Sequence, residues 1–112
     1  MKKLRPRVRA LKLAKEVRKQ LTNALGQPVQ VIMFGSQARG DATKESDIDL
    51  LVVLPTINND MLKITSDIAW EVGFEAGRVI SVIPDTKENM KHYGFRLFIV
   101  MLKKKGLSRD GI

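Results

Sequence analysis

Apolar residues recur at three- and four-residue steps through Leu4, Val8, Leu11, Ala14, Val17, Leu21 and Leu25. This spacing predicts one apolar stripe along a helix in the first 25 residues. Pro6 cannot occupy a helix interior, so regular helix is expected at or after it. Gly26, followed by Gln27 and Pro28, is a stop signal. Val29 to Phe34 reads as a strand, and Gly35 and Gly40 then flank a short turn. After a polar loop, Asp47 to Pro55 reads as a second strand, whose run Leu50 to Leu54 is apolar on both faces, as in a covered central strand. Asn58, Asn59 and Asp60 offer N-caps for a helix from Met61 to Val72, with Ile64, Ile68 and Val72 on one side and Gly73 as its end. Arg78 to Ile83 reads as a third strand stopped by Pro84. Thr86 can cap a short helix from Lys87, and a last helix is expected from Tyr93 to Lys105, ending at Gly106 and carrying the stripe Phe95, Phe98, Ile99 and Leu102. The order predicts a layered α/β (α+β) fold, a small mixed β-sheet flanked by helices.

A chain of 112 residues suits one domain. Three parts are expected within it: a basic N-terminal helix (1–27), a core (28–84) and a C-terminal helical segment (85–112). Cysteine is absent, which excludes disulfides, zinc–thiolate sites and a thiol nucleophile. No apolar run has the length of a membrane span, and the basic N-terminus lacks the apolar stretch of a secretory signal, so a cytoplasmic protein is expected. The net charge of +8 is unevenly placed, with nine Lys/Arg and one acid between Lys2 and Lys19. Such a run attracts polyanions, or simply solvates one face of a helix. No aromatic residue interleaves it to stack on bases. The methionines show no ligand spacing, His92 reads as the edge of a helix-packing cluster with Tyr93, Phe95 and Phe98, and Trp70 reads as core or interface.

Candidate chemistry concentrates in two places. Residues two apart in a strand point to one face, so the carboxylates of Asp47 and Asp49 converge. Such a pair repels itself without a cation and suits Mg²⁺, which uses one or two carboxylates plus substrate phosphates. Gly35 ends the preceding strand and lets backbone approach a ligand, and Ser36 opens a turn whose free N–H groups favour phosphate. Arg39, one helical turn on, can support phosphates or tie the loop to an aspartate.

The segment from Phe34 to Gly40, followed by Ser46-Asp47-Ile48-Asp49-Leu50, resembles the motif of minimal nucleotidyltransferases in the polymerase-beta superfamily: Gly-Ser, ten residues, then Asp-x-Asp. The resemblance implies the polymerase beta-like nucleotidyltransferase fold, with nucleotide held at Gly35, Ser36 and Arg39 and Mg²⁺ at Asp47 and Asp49. It further implies attack by an acceptor hydroxyl on the α-phosphorus of a nucleoside triphosphate such as ATP. Many stand-alone members of that family are antitoxins beside HEPN-domain ribonucleases, and some transfer AMP to a tyrosine of the toxin.

One departure stands out. Active members carry a third carboxylate on a later strand, whereas the strand from Arg78 to Ile83 has none, and Ser81 stands in its middle. Asp85, beyond the strand, and Glu75, in a loop before it, are the alternatives. Three functions follow from the sequence. The first is a Mg²⁺-dependent transferase placing AMP on a macromolecular hydroxyl, with a HEPN-type partner and homo-oligomerisation among its expected associations. The second is a catalytically weak nucleotide-binding module that neutralises a partner by contact. The third is a basic nucleic-acid accessory protein. The sequence indicates no membrane partner.

Overall fold

In the computed structural model, residues 6–34, 47–92 and 109–111 are described. Helix α1 spans Pro6–Leu25 and β1 Gln30–Phe34; β2 follows at Ile48–Leu54, α2 at Asn59–Ala76, β3 at Ile80–Thr86, α3 at Lys87–His92 and β4 at Arg109–Gly111. The expected helix from Tyr93 to Lys105 lies outside the described residues.

The four strands form one sheet in the order β3-β2-β1-β4. Strand β1 runs antiparallel to β2 and β4, and β3 runs parallel to β2. The sheet is therefore mixed, as the sequence predicts; β4 is an addition that three residues of unexceptional sequence do not announce.

Alternation along the strands separates two layers. Ile48, Leu50, Val52 and Leu54 join Val31 and Met33 on one face, under Ala10, Ala14, Val17 and Leu21 of α1 and Val72 of α2. Leu51 joins Ile32 and Phe34 on the other face, where Met90 of α3 packs. Strand β2 is thus buried on both sides, as its unbroken apolar run requires. The buried edge of α1 begins at Ala10, whereas Val8 is 39% exposed. The stripe thus runs Ala10, Ala14, Val17, Leu21.

Both long helices end in left-handed glycines. Gly26 (φ 69) donates its N–H to Thr22 O at 2.9 Å, closing α1 where the sequence predicts. Helix α2 starts where Asn58 accepts from Met61 N at 2.8 Å, but it does not stop at Gly73. It continues to Ala76, and Gly77 (φ 66) supplies the terminus: Gly77 N donates to Phe74 O and Arg78 N to Gly73 O. Gly73 serves proximity instead. A Cβ there would sit 2.5 Å from Arg78 O, where the chain folds back toward β3. Buried Thr65 satisfies its hydroxyl by donating to Met61 O at 2.8 Å.

Strand β3 also differs from expectation: it runs through Pro84 to Thr86. Ile48 N donates to Val79 O, which by alternation turns the backbone groups of Ser81, Ile83 and Asp85 toward β2 and those of Ile80, Val82 and Pro84 outward. The missing N–H of Pro84 thus points away from β2, on the side where no described strand pairs with β3, and costs that ladder nothing. Thr86 then caps α3, accepting from Asn89 N at 3.0 Å.

Helix propensity alone favours alanine over glycine at position 73 by about 1 kcal/mol. The close approach of Arg78 O reverses that sign, and Gly73→Ala is expected to destabilise the fold by about 1–3 kcal/mol in denaturant unfolding.

Candidate functional site

The site is built where β1 ends and β2 begins. In the antiparallel register Phe34 lies opposite Asp49, and in the parallel register Ser81 lies on the other side of it. Phe34, Asp49 and Ser81 therefore form one row across three strands, on the face that also carries Leu51 and Ile32. Asp47 stands one residue before β2 with the same parity.

Asp47 is exposed and Asp49 is half-buried. The Asp49 carboxyl is raised above its ordinary pKa, first by burial beside the apolar face and then by repulsion from Asp47. The two carboxylates are therefore close enough to repel, and the inner one bears the cost of desolvation. A hard cation would relieve both effects, and its remaining ligands would have to come from water or phosphate oxygens. Among the described residues no group of three or more Asp, Glu, His or Cys could hold a metal together.

Gly35, Ser36 and Arg39 lie outside the described residues. Their segment departs from Phe34, the partner of Asp49. The two halves of the motif are thus attached to adjacent strand ends.

The register also decides between the alternatives for a third carboxylate. Ser81 is the direct neighbour of Asp49 and is exposed. Asp85 lies within β3, not beyond it, and on the right face, yet it pairs with Val53. Four strand residues, about 13 Å, separate it from Ser81. Its Oδ1 accepts from Thr86 N at 2.8 Å. Glu75 is in the last turn of α2 rather than in a loop, and α2 packs on the opposite face of the sheet. Neither acid joins the row.

Sequence reasoning missed the part Phe34 plays. Its strand assignment was legible, but only the register shows that its side chain shares a face and a row with Asp49. Trp70 is not core: it is 66% exposed and stacks on Phe74 along the outside of α2, with ring centroids 4.9 Å apart.

The comparisons with known proteins agree with this architecture. A family model described as "Nucleotidyltransferase domain" matches residues 11–106. Three Methanocaldococcus jannaschii proteins, each named "putative protein adenylyltransferase", are similar. The first is 37% identical over 75 residues, 62% of this chain and 71% of that one. The second is 43% identical over 58 residues, 49% of this chain and 40% of its own length. The third is 37% identical over 62 residues, 50% and 63% of the two chains. The crystal structure of a "putative nucleotidyltransferase" from Sulfolobus solfataricus superposes with a TM-score of 0.59 at 26% identity, covering 78% of this chain and 76% of that one. A match spanning both layers of the sheet and the strand that bears Asp49 leads to one conclusion: the chain belongs to the nucleotidyltransferase domain family.

Proposed function

We propose that this protein binds a Mg²⁺–nucleoside triphosphate, ATP in the first instance, and transfers the nucleoside monophosphate to a protein hydroxyl. The single observation that carries this reading is the repelling carboxylate pair of exposed Asp47 and half-buried Asp49 at the start of β2, beside the departure of the Gly35-Ser36 segment. The names of the archaeal relatives support a protein as acceptor. In the proposed reaction the acceptor hydroxyl gives up its proton to water, its oxygen bonds to the α-phosphorus, the bond from that phosphorus to the bridging oxygen breaks, and pyrophosphate leaves with that oxygen and its charge. Asp47 and Asp49 would hold Mg²⁺, which supplies charge neutralisation at the phosphates. Gly35, Ser36 and Arg39 would hold the phosphates themselves. The acceptor we assign is a HEPN-type partner, with this chain as its antitoxin.

Ser81 favours a second reading. Directly beside Asp49 it contributes a neutral hydroxyl, so the described site has two carboxylates and lacks an anionic base. Nucleotide binding with slow transfer, and neutralisation of the partner by contact, follows from that deficit.

With ATP labelled at the α-phosphate, Mg²⁺ and the protein encoded beside it, label is expected on that partner. Asp47→Ala with Asp49→Ala should lower the transfer rate by about a hundredfold or more. Equal labelling by wild type and variant would remove the transferase reading. Ser81→Asp is expected to tighten Mg²⁺ binding and speed labelling, measured by cation titration and single-turnover assay; no change in either would show that position 81 does not face the metal.

The raised pKa of Asp49 has a signed consequence for stability. Between the ordinary aspartate value and the raised one, the folded state holds the proton more tightly than the unfolded chain. Stability therefore falls as pH rises through that window and stays lower above it. Without divalent cations, Asp49→Asn is expected to raise the melting temperature at neutral pH, the gain shrinking as pH drops below the ordinary aspartate range. Mg²⁺ should raise the melting temperature of the wild type and leave that of the variant nearly unchanged.

A further inference from the structure

A second surface lies on the opposite side of the sheet from Asp49. Helix α2 and the edge strand β3 enclose an open groove of about 620 Å³, whose lining includes Trp70, Phe74, Val79, Ile80 and Val82, with Arg78 at the turn between the two elements. Trp70, Phe74 and Val79 are 66%, 70% and 61% exposed. Three large apolar side chains side by side are more than a small soluble surface needs, and they mark a binding face.

The groove has the two components of strand-addition recognition. Its floor is an edge: among the described residues β3 pairs with β2 alone, and the backbone groups of Ile80 and Val82 point outward. Its wall is the α2 helix with its stacked aromatic pair. An extended segment can hydrogen-bond to the edge and place alternate side chains in the groove.

Charge selects the occupant. Asp67, Glu71 and Glu75 line the other flank of the Trp70–Phe74 pair at four-residue spacing. Asp67 is paired with Lys63 at 2.9 Å. The remaining stripe is anionic on a chain whose formal net charge is +8. A second copy related by a two-fold axis through this face would bring like charges together, which costs affinity. We infer that the groove between α2 and β3 docks an extended segment of a partner protein that bears alternating aliphatic residues and Lys/Arg, adding a strand to β3 beside the Asp67/Glu71/Glu75 stripe. This surface does not depend on the transfer reaction, because no residue of it belongs to the Asp47/Asp49 row.

Trp70 is the chain's single tryptophan, so its fluorescence reports on this face directly. Titrating the full chain with a short acetylated peptide of alternating valine and lysine is expected to give a saturable blue shift. Glu71→Lys with Glu75→Lys should weaken binding by about tenfold or more, a loss of about 1.4 kcal/mol. Phe74→Ala should weaken it while leaving the melting temperature close to wild type, since that ring is largely exposed. The same peptide N-methylated at alternate residues should bind much more weakly. Four results would overturn the inference: no shift with the peptide; a shift indifferent to both charge reversal and N-methylation; emission that changes with protein concentration alone, alongside a dimer in sedimentation; or emission already blue and shielded from acrylamide, which would mean that the chain covers its own groove.

Discussion

Strand β2 has both faces buried and both edges paired, and that constraint fixes the position of everything around it. A slip of one residue would turn Asp49 into the apolar layer beneath α1 and α2 and expose Leu50 in its place. The cost of burying a carboxylate among Val17, Leu21 and Val31 rules that register out. The same apolar run that holds the strand in register therefore aims the carboxylate. The raised pKa of Asp49 reflects the compromise: its neighbours Ile32, Phe34 and Leu51 are core residues, yet its row opens to solvent at Ser81.

Much of this was legible in the chain. Alternation gave β1 and β2, Gly26 gave the end of α1, and Asn58 and Thr86 gave their caps, because each depends on a few neighbouring residues. The errors came from contacts that are distant in sequence. Gly73 looked like a terminator, but it is needed for the approach of Arg78 O, which only the folded chain shows. Pro84 looked like the end of a strand, because its harmlessness depends on β3 lying at an edge with that nitrogen facing out. Within the site, spacing sufficed to pair Asp47 with Asp49. Choosing Ser81 over Asp85 and Glu75 as the neighbour of Asp49 gained its physical ground from the parallel register and from the side of the sheet that α2 occupies.

The two surfaces of the molecule share one strand. Odd-numbered residues of β3 share the face of the carboxylate row, and Ile80 and Val82 line the aromatic groove. A strand laid against β3 would lie two sheet spacings, about 10 Å, from β2. That is short enough for side chains of the added segment to approach the Asp49 face, so docking and chemistry need no long-range signal to cooperate.

Pro84 also carries a consequence for solubility. An open sheet edge with every donor in place can recruit further copies without limit, as amyloid-forming edges do. Here the outward-facing donors of Ile80 and Val82 are followed by Pro84, which has none, and by Thr86, whose N–H already donates to Asp85 Oδ1. The edge can accept a short visitor, and it cannot act as a template for an endless stack.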